Sequence, residues 1–261
     1  MIFAFDIDET VIFSEEVLSR SGIAVNDSRL RLVDDQFGRK KYAFRGTYDV
    51  LRHALTDDQL LLVPCTARCW ADCQSIDKGN LEFDWVITSL GTMIWNKGMP
   101  FMPYVAHLKS IVSDKEMKRL WRDIYSLSRY FNHVQLSDRY AIWGAFDKEN
   151  DMLVRELKRL EEKFPNFEFY FEESEISILP KGLNKGYAVS WLKNYLCREL
   201  LFSVGDSKYD TTMFAVSDMC FVPKSSYGKL QFLSNASVVR LKSDVDCILE
   251  ALNLIWQQYS Y

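Results

Sequence analysis

Ile2-Phe3-Ala4-Phe5 is an uninterrupted apolar run that stops at the acidic cluster Asp6-Ile7-Asp8-Glu9-Thr10. A short run that is apolar at every position, not at alternate ones, reads as a strand buried on both faces, as in a parallel sheet. Leu60-Leu61-Leu62-Val63 repeats the pattern and leads into Cys65-Thr66, and Leu200-Leu201-Phe202-Ser203-Val204 leads into Gly205-Asp206. Trp85-Val86-Ile87, Cys220-Phe221-Val222 and residues 237–241 read as further short strands. Helical spacing separates them: Tyr48, Leu51 and Leu55 before the second run, and Ala188, Trp191, Leu192, Tyr195 and Leu196 before the run at 200. Strands alternating with helices predict an α/β fold, a parallel sheet with helices on both faces. In such sheets ligands gather beyond the carboxyl ends of the strands. Asp6, Thr66 and Asp206 stand there.

The middle of the chain breaks the alternation. From Met99 to Leu179 the order becomes helix, strand, strand, helix, strand, strand. Met117, Leu120, Trp121, Ile124, Leu127 and Phe131 mark the first helix, and Leu153, Leu157, Leu160 and Phe164 the second. Residues 141–146, 167–171 and 175–179 read as strands. The expected organisation is a core of residues 1–98 and 180–261 with an inserted α+β cap domain at 99–179. Pro100, Pro103 and Pro180-Lys181-Gly182 are the expected hinges. Residues 22–46 are harder to place. Asp34-Asp35-Gln36-Phe37-Gly38 is a candidate hairpin turn. The neighbouring Arg39-Lys40-Lys41 reads as a solvated turn, the functional alternative being a flap that touches an anionic substrate.

With 261 residues, 48% of them hydrophobic, the chain can build a domain plus an insert. A net charge of −4 argues against a nucleic-acid partner. No window approaches the roughly 18 apolar residues of a membrane span. Met1 runs into Asp6 with no basic leader, so the expected location is cytoplasmic. Cys65, Cys69 and Cys73 recur every four residues, but no second paired motif accompanies them and the histidines number three. They read as buried or helix-lining thiols, not a zinc site. Oligomeric state leaves no mark in the sequence.

The chemistry lies in four segments. Asp6 and Asp8, two residues apart past a strand end, can converge on one small volume. Magnesium needs only one or two protein carboxylates. One carboxylate can attack phosphorus, and a second can give and take the proton. Thr66 precedes Ala67-Arg68-Cys69-Trp70, read as a helix start, whose hydroxyl and free N–H groups suit a phosphate. Lys185 opens the next core helix, where the helix dipole disfavours a cation unless an anion lies there too. Gly205-Asp206-Ser207-Lys208-Tyr209-Asp210 adds two carboxylates. Each segment alone also reads as capping or turn chemistry. In this order, each at a strand end or helix start, that plain reading fails.

Together these segments resemble the four motifs of the haloacid dehalogenase superfamily: D-x-D-x-T, a Thr or Ser, a Lys, and an acidic G-D-x-x-x-D. The position and doubled helix-strand-strand order of the insert are similar to the class IIB cap of Cof-type, sucrose-phosphate and mannosylglycerate-phosphate phosphatases. Thr66-Ala67-Arg68 resembles that branch's T-G-R, Ser89-Leu90-Gly91-Thr92 its N-G-A, and residues 180–186 its P-x-G-x-x-K-G. Glu9, Leu90 and Tyr209 depart from the common residues.

The resemblance implies a Rossmann-like core and a Mg2+-dependent phosphatase acting on a small phosphorylated metabolite, a sugar phosphate, through an aspartyl-phosphate. It implies Asp6 as nucleophile and Asp8 as acid and base. Magnesium falls to Asp6, Asp206 and the Asp8 carbonyl, and the phosphate to Thr66 and Lys185. Asp210 takes a supporting place, orienting Lys185 or a metal-bound water. Arg68 is left outside the site as structural, and Arg139, Trp143 and Lys181 are the cap residues guessed to read the leaving group. Two alternatives stand beside this reading: a phosphomutase or phosphotransferase on the same scaffold, and a binding or regulatory module without turnover.

Overall fold

The structure is a computed structural model, and it describes residues 1–36, 38–172, 174–230 and 237–259. Five of the apolar runs form one parallel sheet. Its order is Ser237–Arg240, Met219–Val222, Leu201–Val204, Ile2–Phe5, Leu61–Pro64. The all-apolar character of Ile2–Phe5 follows from its central place. Ile2 and Ala4 pack with Val63, Leu201, Ala188 and Leu192 on one side. Phe3 and Phe5 pack with Leu51, Leu62, Phe202 and Leu252 on the other. Each large side chain buried this way contributes roughly 1.5–3 kcal/mol. Helices Arg45–Ala54 and Cys247–Tyr259 cover the second face, and Lys185–Tyr195 the first.

Trp85–Thr88 runs parallel to the neighbouring Leu61–Pro64, as expected, but continues into a hairpin. It forms an antiparallel hairpin with Met93–Asn96, extended by Met99–Pro100, and meets the parallel sheet through the single bridge Cys65 to Ile87. The reversal is made at Ser89, Leu90 and Gly91, all left-handed.

The second sheet is antiparallel, ordered Phe167–Phe171, Glu175–Pro180, Ala141–Ala145, His133–Ser137. Helices Asp114–Tyr125 and Asp151–Lys163 bury Leu120, Ile124, Leu153 and Leu157 with Ile142, Ile176 and Ile178. The first helix stops at Tyr125 and a 3-10 turn follows, so Leu127 and Phe131 lie beyond it. Residues 102 to 111 form a helix that the sequence reading lacked. Pro103 sits in its first turn, where the missing N–H costs nothing, and so starts a helix instead of marking a hinge. This helix packs Tyr104 on Trp191 (5.0 Å between rings) and stacks His107 on Tyr187.

The 22–46 segment forms a hairpin of Leu30–Gln36 and Arg39–Phe44, with Ile12–Ser14 as third strand. Phe37, in the expected turn, lies outside the described residues. Among the described residues no helix is long and apolar enough to cross a membrane.

Candidate active site

The central strand ends by donating the Asp6 N–H to the Val204 carbonyl at 3.0 Å. That places Asp6, only 6% exposed, beside the end of the strand that leads to Asp206. Lys185 opens its helix behind the N-cap Asn184, and its side chain is 2% exposed. Its Nζ donates to Asp6 Oδ1 at 2.7 Å and to Asp210 Oδ1 at 2.6 Å. The other Asp210 oxygen accepts the N–H groups of Asp206 (3.1 Å) and Ser207 (3.0 Å) and the Ser207 hydroxyl (2.8 Å). Gly205 permits this fold-back, because a Cβ there would stand 2.4 Å from Asp210 Cγ. Gly91 does the same on the lysine side. It is left-handed, and a Cβ would meet the Asn184 carbonyl oxygen at 2.2 Å.

Asp6, Asp206 and Asp210 each bring one carboxylate oxygen within 4.8 Å of the others. Three carboxylates face one ammonium. Burial pushes the Asp6 carboxyl up to about 7; Lys185 opposes the rise, and Asp210 and Asp8 add to it. Burial, with Asp6 and Asp210, also lifts the Asp206 carboxyl well above the usual range. For Lys185, burial is outweighed by Asp210 and Asp6, which raise its pKa and keep it charged. A buried donor set of oxygens, too acidic for its one cation, fits a hard divalent ion such as magnesium.

Asp8 lies apart from that set. Its carboxylate takes a bidentate fork from Arg68, Nε to Oδ2 at 2.7 Å and Nη2 to Oδ1 at 2.8 Å. Lys41 approaches to 3.4 Å. Burial would raise the Asp8 carboxyl, but Arg68 and Lys41 outweigh it and hold it below the ordinary range. Arg68 also donates to Asp34 Oδ2 at 2.5 Å. Arg68 therefore stands inside the site and not in the scaffold alone, a correction whose signal was the T-A-R match itself. Lys41 corrects the solvated reading of its triplet. Arg39 and Lys40 are exposed, but the Lys41 side chain is 16% exposed and bonds Glu9 Oε1 at 2.5 Å. Glu9 replaces a common glycine in a left-handed position (φ 54°), and its other oxygen accepts the Ser14 N–H at 3.1 Å.

Thr66 is fully buried at the end of the neighbouring strand, where Cys65 N–H bonds the Phe5 carbonyl at 2.7 Å. It does not open a helix. The helix is Trp70–Ser75, and the chain at 66–68 pairs instead with the next turn: Ser89 N–H to Arg68 O at 2.8 Å, Leu90 N–H to Thr66 O at 3.0 Å. The Thr66 hydroxyl accepts the Arg68 N–H at 3.1 Å. Tyr209 packs on Tyr170 of the antiparallel sheet, and burial raises its phenol to about 12. Of the guessed cap residues, Arg139 bonds Asp114, the Trp143 indole donates to Glu175 at 3.2 Å, and Lys181 is exposed.

The model of the family described as sucrose-6F-phosphate phosphohydrolase matches residues 32–235. The fold is similar to that of a sucrose-phosphatase from Synechocystis sp. PCC6803 solved with sucrose and phosphate. The two are 16% identical, covering 97% of each chain, with TM-score 0.64. It is also similar to a subclass IIB sugar phosphatase of the haloacid dehalogenase superfamily (12% identity, 99% of this chain and 98% of that one, TM-score 0.59). A trehalose-6-phosphate phosphatase from Aspergillus fumigatus is similar too (14% identity, 97% and 91%, TM-score 0.55). No curated protein matches the chain.

Proposed function

The chain belongs to the sucrose-6F-phosphate phosphohydrolase family, within the haloacid dehalogenase superfamily, and from that premise we propose that it is a magnesium-dependent phosphatase that hydrolyses a sugar phosphate through an aspartyl-phosphate on Asp6. The observation that carries the reading is the grip of Lys185 on both Asp6 and Asp210, with Asp206 alongside. Residues from three distant segments are spent on one buried, acidic point at the sheet's carboxyl edge.

In the first step an Asp6 oxygen attacks phosphorus as the bond from phosphorus to the sugar oxygen breaks. Asp8 gives the departing oxygen its proton. In the second step Asp8 takes a proton from water, the water oxygen attacks phosphorus, and Asp6 is released with inorganic phosphate. Arg68 opposes the protonated form of Asp8 that the first step draws on and favours the ionised form that the second step uses. Lys185 and Thr66 bind the non-bridging oxygens. Asp6 and Asp206, with the Asp8 carbonyl, would hold the magnesium, and Asp210 orients Lys185. When bound, the ion supplies the positive charge that lets a phosphate approach a carboxylate. The 99–179 insert acts as the cap that shuts out water.

Asp6→Asn is expected to abolish phosphate release from sucrose-6F-phosphate and from p-nitrophenyl phosphate, with the circular dichroism spectrum unchanged. Turnover at the wild-type rate in that variant would falsify the nucleophile assignment.

A further inference from the structure

The turn joining His133–Ser137 to Ala141–Ala145 places two non-glycine residues in the left-handed region, Asp138 at φ 43° and Arg139 at φ 81°. Such backbone persists where its surroundings over-determine it. Here the surroundings are visible. Asp114, at the start of its helix, accepts from Arg139 and from the Tyr140 hydroxyl at 3.0 Å, which pins the turn from the cap side. Asp138 is thereby turned out of the antiparallel sheet and onto the core.

Its carboxylate accepts the Trp70 N–H at 3.0 and 3.1 Å, the Ser89 hydroxyl at 2.9 Å, and the Thr88 hydroxyl. The Thr88 oxygen in turn accepts the Trp95 indole N–H at 2.9 Å. Among the described residues Asp138 makes no ion pair, so this is a carboxylate held by neutral donors alone. Those donors belong to the wall of the active site, since Ser89 and Leu90 bond the backbone of Arg68 and Thr66. On the opposite side, the insert meets the core through Tyr170 on Tyr209 and through Glu172 to Lys208 at 2.6 Å.

We propose that Asp138 is a positioning residue: it latches the insert to the core beside Thr66 and Arg68, and so makes turnover selective for esters whose leaving group the insert contacts. This rests on the phosphatase reading above. Water competes well for a freed carboxylate, so a latch of neutral donors can open for exchange and close again for chemistry. A buried ion pair in its place would bind the two parts more rigidly.

The test compares the wild type with Asp138→Ala and the isosteric Asp138→Asn. Two esters are used, sucrose-6F-phosphate and p-nitrophenyl phosphate, and backbone hydrogen exchange is followed alongside. In Asp138→Ala the preference in kcat/KM for the sugar ester over the generic ester is expected to fall about tenfold, the scale of losing one charge-assisted hydrogen-bond cluster. The loss should fall in KM for the sugar ester. The Trp70 amide should exchange faster while amides of the central strand do not. Asp138→Asn, which keeps one accepting oxygen, should recover part of both effects. An unchanged preference together with unchanged Trp70 exchange overturns the latch. Should Asp138→Ala fail to fold, Asp138→Asn alone decides by the same two readouts. If the wild type hydrolyses neither ester, the phosphatase reading fails, and the exchange comparison still decides whether Asp138 latches.

Discussion

Two charged clusters lie side by side past the end of the central strand, and they are balanced differently. In the first, Asp6, Asp206 and Asp210 surround Lys185, with Asp6, Asp210 and Lys185 almost wholly buried. In the second, Asp8, Glu9 and Asp34 meet Arg68 and Lys41, and water still reaches Asp8. Three carboxylates against one cation leave the first short of positive charge, while three against two leave the second close to closed. Asp6 and Asp8 are two residues apart on one strand end, yet burial drives the first carboxyl up and Arg68 holds the second down. Position on the strand sets where a carboxylate stands; its cations set what it can do.

The sharpest way to break the comparison is to remove the single cation of the first cluster. Lys185→Met strands two buried carboxylates and is expected to cost about 3–5 kcal/mol of stability in urea unfolding without metal. A loss below about 1 kcal/mol would show that the buried carboxylates already share protons and do not need the lysine. Arg68→Met should cost less, roughly 1–3 kcal/mol, because Asp8 can recover water while Asp34, 3% exposed at its side chain, cannot.

Protons probe the first cluster more gently. The Asp6 carboxyl, lifted to about 7 in the folded chain, keeps a proton that the unfolded chain gives up at ordinary carboxylate pH. Its contribution to metal-free stability is therefore present at low pH and lost as pH rises through that value. Magnesium has to displace the proton. Its affinity should fall roughly tenfold per pH unit below about 7 and level off above. Calorimetry in buffers of different ionisation enthalpy should find proton release on ion binding at about pH 6, from Asp6 and Asp206 together, and less at about pH 8; no release at either would remove both from the ion's ligands. The smallest effect belongs to the pair of Lys41 and Glu9. A double-mutant cycle with Lys41→Met and Glu9→Gln should give a coupling of about 0.2–1 kcal/mol, and a larger value would make the hairpin a structural part of the site.

The two clusters were unequally legible in the sequence. Asp6, Lys185, Asp206 and Asp210 each stand at a strand end or helix start, so local pattern alone marks them. Asp34 and Lys41 of the second cluster come from the hairpin, where alternation is loose and a triplet of cations resembles a solvated turn. A finer signal was available. In Arg39–Phe44 every second residue shares a face, so Lys41 lies on the side of the buried Ala43. Thr66 was located correctly on its strand end, but not as a helix start, because its neighbours find backbone partners in a turn more than twenty residues away. The helix at 102–111 hid behind its own Pro103. The hairpin that follows Trp85–Thr88 depended on a left-handed turn whose Ser89 and Leu90 are not residues that announce one.

The order of strands also bears on synthesis. Ile2–Phe5 is made well before its partner, since Ile2 pairs with Leu201. The antiparallel sheet is complete by Pro180, and all its pairings are between strands close in sequence. Local pairings form fast and distant ones wait on chain closure. The nascent chain thus holds a finished insert while the two ends of the future site remain unjoined, and the site itself is among the last things to assemble.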